Sequence, residues 1–177
     1  MKKLTINSKG FTLPEVLVYS VILAIISLVV LVFINQLLGV NETTRRVREA
    51  TDNARKSLDT IAQEVRHADS VYTPTSSFGS SPGQLSLETT RDTLADEDTT
   101  YVDFYVDNQQ LFIKRESQEA QRLTSEKIKV TSLTFTNLVG ATTWPAVRIA
   151  ITVEYKDPIS GPTNKVSMTT TAVLRSL

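Results

Sequence analysis

Few side chains in this 177-residue sequence have the chemistry of a catalytic group. It has no cysteine, which removes thiolate nucleophiles, thiolate metal sites and any disulfide framework. His67 is the single histidine. It sits near the end of a helical pattern, where an imidazole ordinarily complements the helix dipole. Ser-His-Asp chemistry would have to use it, yet no nucleophile-elbow glycine pattern accompanies it. No phosphate-cradling glycine loop is present either. The acids Asp92, Asp96, Glu97, Asp98, Asp103 and Asp107 offer the oxygens that a hard cation prefers, with Asp96, Asp98 and Asp103 as calcium candidates. They lack the spaced calcium-loop signature, and a solvated acidic loop is the competing reading. Arg45, Arg46 and Arg48 have the charge to contact nucleic-acid phosphates. Each also has an acid four residues away, which reads as a charge-paired helix face rather than a DNA surface. These residues imply no enzyme and no cofactor.

Glu15 stands apart from all of these. It lies at the head of a run, residues 16–34, that contains no charge. About 20 apolar residues at 1.5 Å each cross a hydrocarbon core of about 30 Å. An ionisable group at the edge of such a run is a functional candidate by default, because it is costly there unless paired. The structural alternative is that its carboxylate reaches the headgroups or favours the helix N-terminus.

The residues before the run sharpen the question. Lys2, Lys3 and Lys9 make a basic leader that ends at Gly10. An ordinary secretory signal has a shorter apolar region, with its small-residue cut site after it. Here the small residue precedes the run, so a cut after Gly10 keeps the membrane helix on the mature chain. An uncleaved anchor remains the alternative. Pro14 fits the cut: its ring would clash with the carbonyl of Gly10, which cleavage removes, and in the mature chain it occupies the first turn. It also disfavours helical geometry at Leu13.

The segment Lys9-Gly10-Phe11-Thr12-Leu13-Pro14-Glu15, followed by the apolar run, resembles the type IV prepilin leader. That leader usually reads Gly-Phe-Thr-Leu, an apolar residue, then Glu; Pro14 departs from the commonest form. The resemblance implies cleavage between Gly10 and Phe11 by a prepilin peptidase that also N-methylates Phe11. It implies that Glu15 pairs with the free amino terminus on Phe11 of a neighbouring subunit. It further implies other pilin or pseudopilin subunits, an inner-membrane assembly platform and the lipid bilayer as partners. Arginines follow the span as lysines precede it, so charge alone nearly ties on topology. The resemblance places the amino end in the cytoplasm and the C-terminal domain outside.

Five segments carry this organisation: leader 1–10, membrane and assembly helix 11–40, amphipathic helix half 41–70, loop 71–84 and β-sheet domain 85–177. In the amphipathic half, Val47, Ala50, Ala54, Leu58, Ile61, Val65 and Ala68 recur at helical spacing. Its other face pairs charges at i,i+4: Glu42–Arg46, Arg45–Glu49, Arg48–Asp52, Asp52–Lys56 and Arg55–Asp59. One helix is predicted from near Pro14 to about Asp69, roughly 80 Å long, with Gly39 as its soft point. The loop is rich in turn formers. Strands are predicted over 85–88, 100–106, 111–115, 127–138, 147–155 and 165–174, with a hairpin turn at 107–110 and another turn at 157–162. A slip in the alternation near Ser132 predicts a bulge. The fold class is α+β: a long N-terminal helix packed on a C-terminal, largely antiparallel sheet.

The strand at 147–153, with Tyr155-Lys156-Asp157-Pro158 after it, and the threonine-rich tail Thr169-Thr170-Thr171-Ala172-Val173-Leu174-Arg175 resemble minor pilins and pseudopilins of the PilW or GspJ type. The resemblance implies a minor subunit of a type IV pilus or related filament. A type II secretion pseudopilin, and a membrane-anchored binding domain that never polymerises, stand as alternatives. Lys2, Lys3 and Lys9 are the leader's only charges. Its removal therefore leaves three more acids than bases, which is no nucleic-acid-binding balance.

Overall fold

A computed structural model describes residues 10, 12–91, 93, 98–138, 145–156 and 165–174, with backbone only at 38–42. The chain is α+β. Among the described residues a single helix, α1 (Leu13–His67), is followed by eight strands: β1 (Ser70–Val71), β2 (Leu85–Thr89), β3 (Thr100–Asp107), β4 (Gln110–Arg115), β5 (Gln121–Arg122), β6 (Ile128–Asn137), β7 (Ala146–Tyr155) and β8 (Lys165–Val173). It divides into two compact units, Met1–Thr44 and Arg45–Leu177.

In the first unit the apolar run forms the start of α1. Leu13–Leu37 is long and apolar enough to cross a membrane, and none of it is buried within the chain. The soft point expected at Gly39 falls where side chains are not described, but the backbone there is helical.

In the second unit the remainder of α1 buries one stripe. Ala50, Ala54, Leu58, Ile61, Val65 and Ala68 are buried as the spacing requires, together with Ala62 and Ser57. Val47 is only half-buried. The expected i,i+4 pairs do not close: Arg45–Glu49, Arg48–Asp52, Asp52–Lys56 and Arg55–Asp59 are absent from the ion pairs within 4.0 Å among the described residues. Exposed pairs of this kind stabilise little, so nothing holds their long side chains together. Glu42–Arg46 lies outside the described side chains. The helix is tied to the strands instead. Arg115 donates to Glu64 at 2.6 Å, and Asn53 Oδ1 accepts the Ser125 N–H at 2.9 Å.

The strands form two antiparallel sheets, ordered β1-β2-β3-β4-β5 and β6-β7-β8, rather than the single sheet expected. Alternation fixes which face of a strand is buried but not which strand it pairs with. The two-residue strands β1 and β5 are too short to alternate visibly. Phe104, Leu85, Leu111 and Ile113 from one sheet, and Phe135, Leu133, Ile149 and Ile151 from the other, join the helix stripe in one buried cluster. The bulge is real. Val130 pairs with Val153 and Ser132 with Thr152, leaving Thr131 as the extra residue. Without it, Leu133 and Phe135 would point away from the core that Ile128 and Val130 enter.

The loop after β1 is more than a surface crossing. Gly79 N–H donates to Phe135 O at 2.9 Å, and Gly83 N–H donates to Leu133 O at 2.8 Å, so the loop covers the outer edge of β6. Gly79 has φ +72°, and a Cβ on Gly83 would lie 3.1 Å from Phe135 Cδ2. The Ser81–Pro82 peptide within it is cis. The turn expected at 157–162 lies outside the described residues.

Candidate processing and assembly site

The head of α1 is built from local rules. Thr12 is the residue before the helix, and its carbonyl accepts the N–H of Glu15 at 3.0 Å and of Val16 at 3.2 Å. Thr12-Leu13-Pro14-Glu15 therefore reads as a capping box, threonine at the N-cap and glutamate three residues on. The reciprocal side-chain bonds of that box are not made among the described residues, although the backbone bonds are. Pro14 falls in the first turn, where a missing N–H leaves no intrahelical bond unmade. Leu13 is helical despite the proline after it.

Glu15 is the acid in the first turn of α1. It is exposed, and its carboxylate has no hydrogen-bond or ion-pair partner among the described residues. Its charge complements the positive end of the helix dipole. Leu13, Val16, Leu17, Val18 and Tyr19 around it are all exposed. A lone carboxylate thus sits among apolar side chains that the chain itself leaves uncovered.

Gly10 lies outside any element and is exposed. A Cβ built on it meets nothing within 4 Å. Glycine is therefore not demanded there by packing or by backbone geometry. Phe11, the expected first residue of the mature chain, lies outside the described residues.

The other candidates are scattered. His67 is exposed in the last turn of α1 beside Arg66, as a dipole partner would be. Arg45 and Arg48 are exposed, whereas Arg46 lies over the Tyr155 ring at 5.6 Å. Asp103 is on β3 and accepts the Ser86 hydroxyl at 2.5 Å, and Asp98 is exposed in the loop before β3. Asp92, Asp96 and Glu97 lie outside the described residues. Among the described residues no group of three or more acids or histidines is placed to hold a metal ion. Sequence reasoning did not single out the partly buried Glu64–Arg115 pair, because i,i+4 arithmetic cannot see a partner 51 positions away.

Compared with known proteins, the chain matches the family model described as the prokaryotic N-terminal methylation motif, over residues 6–31. No curated protein and no solved structure matches it significantly. The motif ends inside α1, so it spans Gly10, Glu15 and most of the apolar helix. The chain thus carries a prepilin-type methylation motif at the head of an uncovered apolar helix, ahead of an α+β domain, an arrangement that supports a type IV pilin-like protein.

Proposed function

We propose that this chain is a minor pilin-like structural subunit. A prepilin peptidase cuts it between Gly10 and Phe11 and methylates the new amino terminus. The mature chain waits in the inner membrane as a single-pass protein, with its C-terminal domain outside. An assembly platform then adds it, with other pilin subunits, to a type IV pilus or related filament. The observation that carries this reading is the methylation motif seated on a helix whose apolar residues are all left uncovered. Such a surface needs lipid before assembly and neighbouring helices afterwards. Lone glutamate and uncovered helix are the parts of a polymerising subunit rather than of an enzyme.

The structure makes the processing test clean. Since a side chain at Gly10 meets nothing within 4 Å, Gly10→Val leaves the folded chain unperturbed. Any block in processing then reports recognition by the peptidase. Mass spectrometry of the membrane-extracted wild-type protein should find N-methylated Phe11 as the first residue. Gly10→Val should accumulate as the full-length precursor. Wild-type protein that keeps Met1 would overturn the reading and favour a simple anchored domain.

A further inference from the structure

The two sheets differ on their outward faces. On the three-stranded sheet the outward side chains of β8 include Lys165, Ser167, Thr169 and Thr171, an ordinary solvated surface. On the five-stranded sheet, β3 and β4 present Tyr101, Tyr105 and Phe112, all half-buried. Tyr72, just after β1, packs on Tyr101 with ring centroids 4.9 Å apart and planes tilted by 59°. The two rings make a corner in a cleft of about 280 Å³ that also holds Asp103, Lys114, Glu116 and Ser117.

We propose that this cleft binds a neutral saccharide, one or two sugar units of a glycan held at the sheet surface. The polar groups decide the ligand class. Asp103 stands opposite Lys114 across the β3–β4 ladder. Glu116 binds the Tyr101 N–H at 3.2 Å through one oxygen, and Asp103 uses one oxygen for Ser86. The second oxygen of each carboxylate, the Lys114 ammonium and both tyrosine hydroxyls have no protein partner among the described residues. The cleft therefore offers donors and acceptors together. A free cation would meet Lys114, and a free anion would meet Asp103 and Glu116. A polyhydroxylated neutral molecule satisfies both kinds of group and lays a C–H face on a tyrosine ring.

Scale and rigidity agree with this. At about 280 Å³ the cleft lies near the lower end of the ~300–1,000 Å³ of small-molecule pockets, room for one or two sugar units. Tyr101, Asp103 and Lys114 stand on the hydrogen-bonded strands β3 and β4, Glu116 is held by the Tyr101 N–H, and Tyr72 is fixed by its N–H donating to Ser86 O at 2.9 Å, the support that a preformed site needs. Ser117 keeps φ at 62° at the cleft edge, a conformation that non-glycine residues seldom adopt.

The site lies wholly within the second unit, so the inference stands whether or not the chain assembles into filaments. The test uses the full chain in phospholipid nanodiscs, with saturation-transfer NMR against cellotetraose, chitotetraose and mannotetraose. Choline and inorganic phosphate serve as cationic and anionic probes. At least one tetrasaccharide should bind, and the ionic probes should not. Tyr101→Ala and the exposed-site change Lys114→Ala should each weaken binding ten-fold or more. Tyr105→Ala, on the same face but outside the cleft, should change it less than two-fold. Melting curves confirm that each variant is folded, and Lys114→Ala carries the test if Tyr101→Ala is not. Silence from all three tetrasaccharides would overturn the proposal, as would binding unaffected by Lys114→Ala, or choline or phosphate binding in their place.

Discussion

Two residues of this chain illustrate how differently a single position can be constrained. The role proposed for Glu15 depends on what lies outside the chain. Among the described residues nothing pairs with its carboxylate, and its apolar surroundings are uncovered. Once those surroundings are covered by other helices, an ionised carboxylate there needs a counter-charge. In the filament proposed above, the counter-charge is the amino terminus at Phe11 of a neighbouring subunit. We expect Glu15→Gln, similar in size and still polar, to insert in the membrane and be processed after Gly10, yet to enter filaments poorly. Immunoblots of sheared filaments, normalised to the membrane pool, provide the measure; wild-type incorporation would remove the pairing role. Gln109 is constrained from within. Asn108 and Gln109 form the two-residue turn between β3 and β4, with φ 46° and 61°. That is the geometry of a type I′ hairpin, in which asparagine followed by glycine is the favoured pair. Gln109→Gly should therefore stabilise the domain by about 1 kcal/mol, read as a rise in melting temperature. Its carbonyl still accepts Val130 N–H at 2.8 Å, a bond that the substitution keeps. The position of the turn was legible from Asp107-Asn108-Gln109-Gln110, but the strain at Gln109 was not, because glutamine gives no signal for positive φ.

At the scale of elements, legibility followed burial. The stripe on α1 and the alternation of β3, β6 and β7 could be read because each has one buried and one wetter face. The bulge at Thr131 could be read for the same reason: Ile128 and Val130 are out of phase with Leu133 and Phe135, and only an added residue reconciles them. The division into two sheets could not be read, since it depends on which edges meet. Nor could the loop's role as a cover for β6, which uses backbone groups of Gly79 and Gly83 that carry no sequence signal. The helix joins both sheets through side chains such as Ile61, which is fully buried in the shared cluster. Ile61→Asp removes that packing and buries a charge with no partner. A loss of about 4 kcal/mol is expected, a large part of the ~5–15 kcal/mol that holds a domain together. Chemical denaturation followed by circular dichroism would check it; an unchanged midpoint would mean that the helix stripe does not form part of the core.

At the scale of the whole molecule, the two units differ in what they bury. Among the described residues every buried core residue lies at Ala50 or later, and none comes from the apolar helix. That helix adds nothing to the interior of the domain, so its removal should leave the interior intact. The cut must fall inside α1, which exposes backbone N–H groups that were bonded in the full helix. A fragment beginning at Thr43 limits that cost, because Thr43 and Thr44 are residue types that cap a helix start. The ties between the helix and the strands, Glu64 with Arg115 and Asn53 with Ser125, lie well beyond the frayed turn. The open outer edge of β8 carries Lys165 and hydroxyl side chains rather than an apolar row, which discourages edge-to-edge association. A fragment of residues 43–177 should accordingly be soluble without detergent, elute as a monomer and unfold in one cooperative transition. Its melting temperature should lie within a few degrees of the domain transition of the full chain in nanodiscs. Size-exclusion chromatography with calorimetry provides the measurement. Aggregation, or a broad non-cooperative transition, would show that the domain depends on the membrane helix after all.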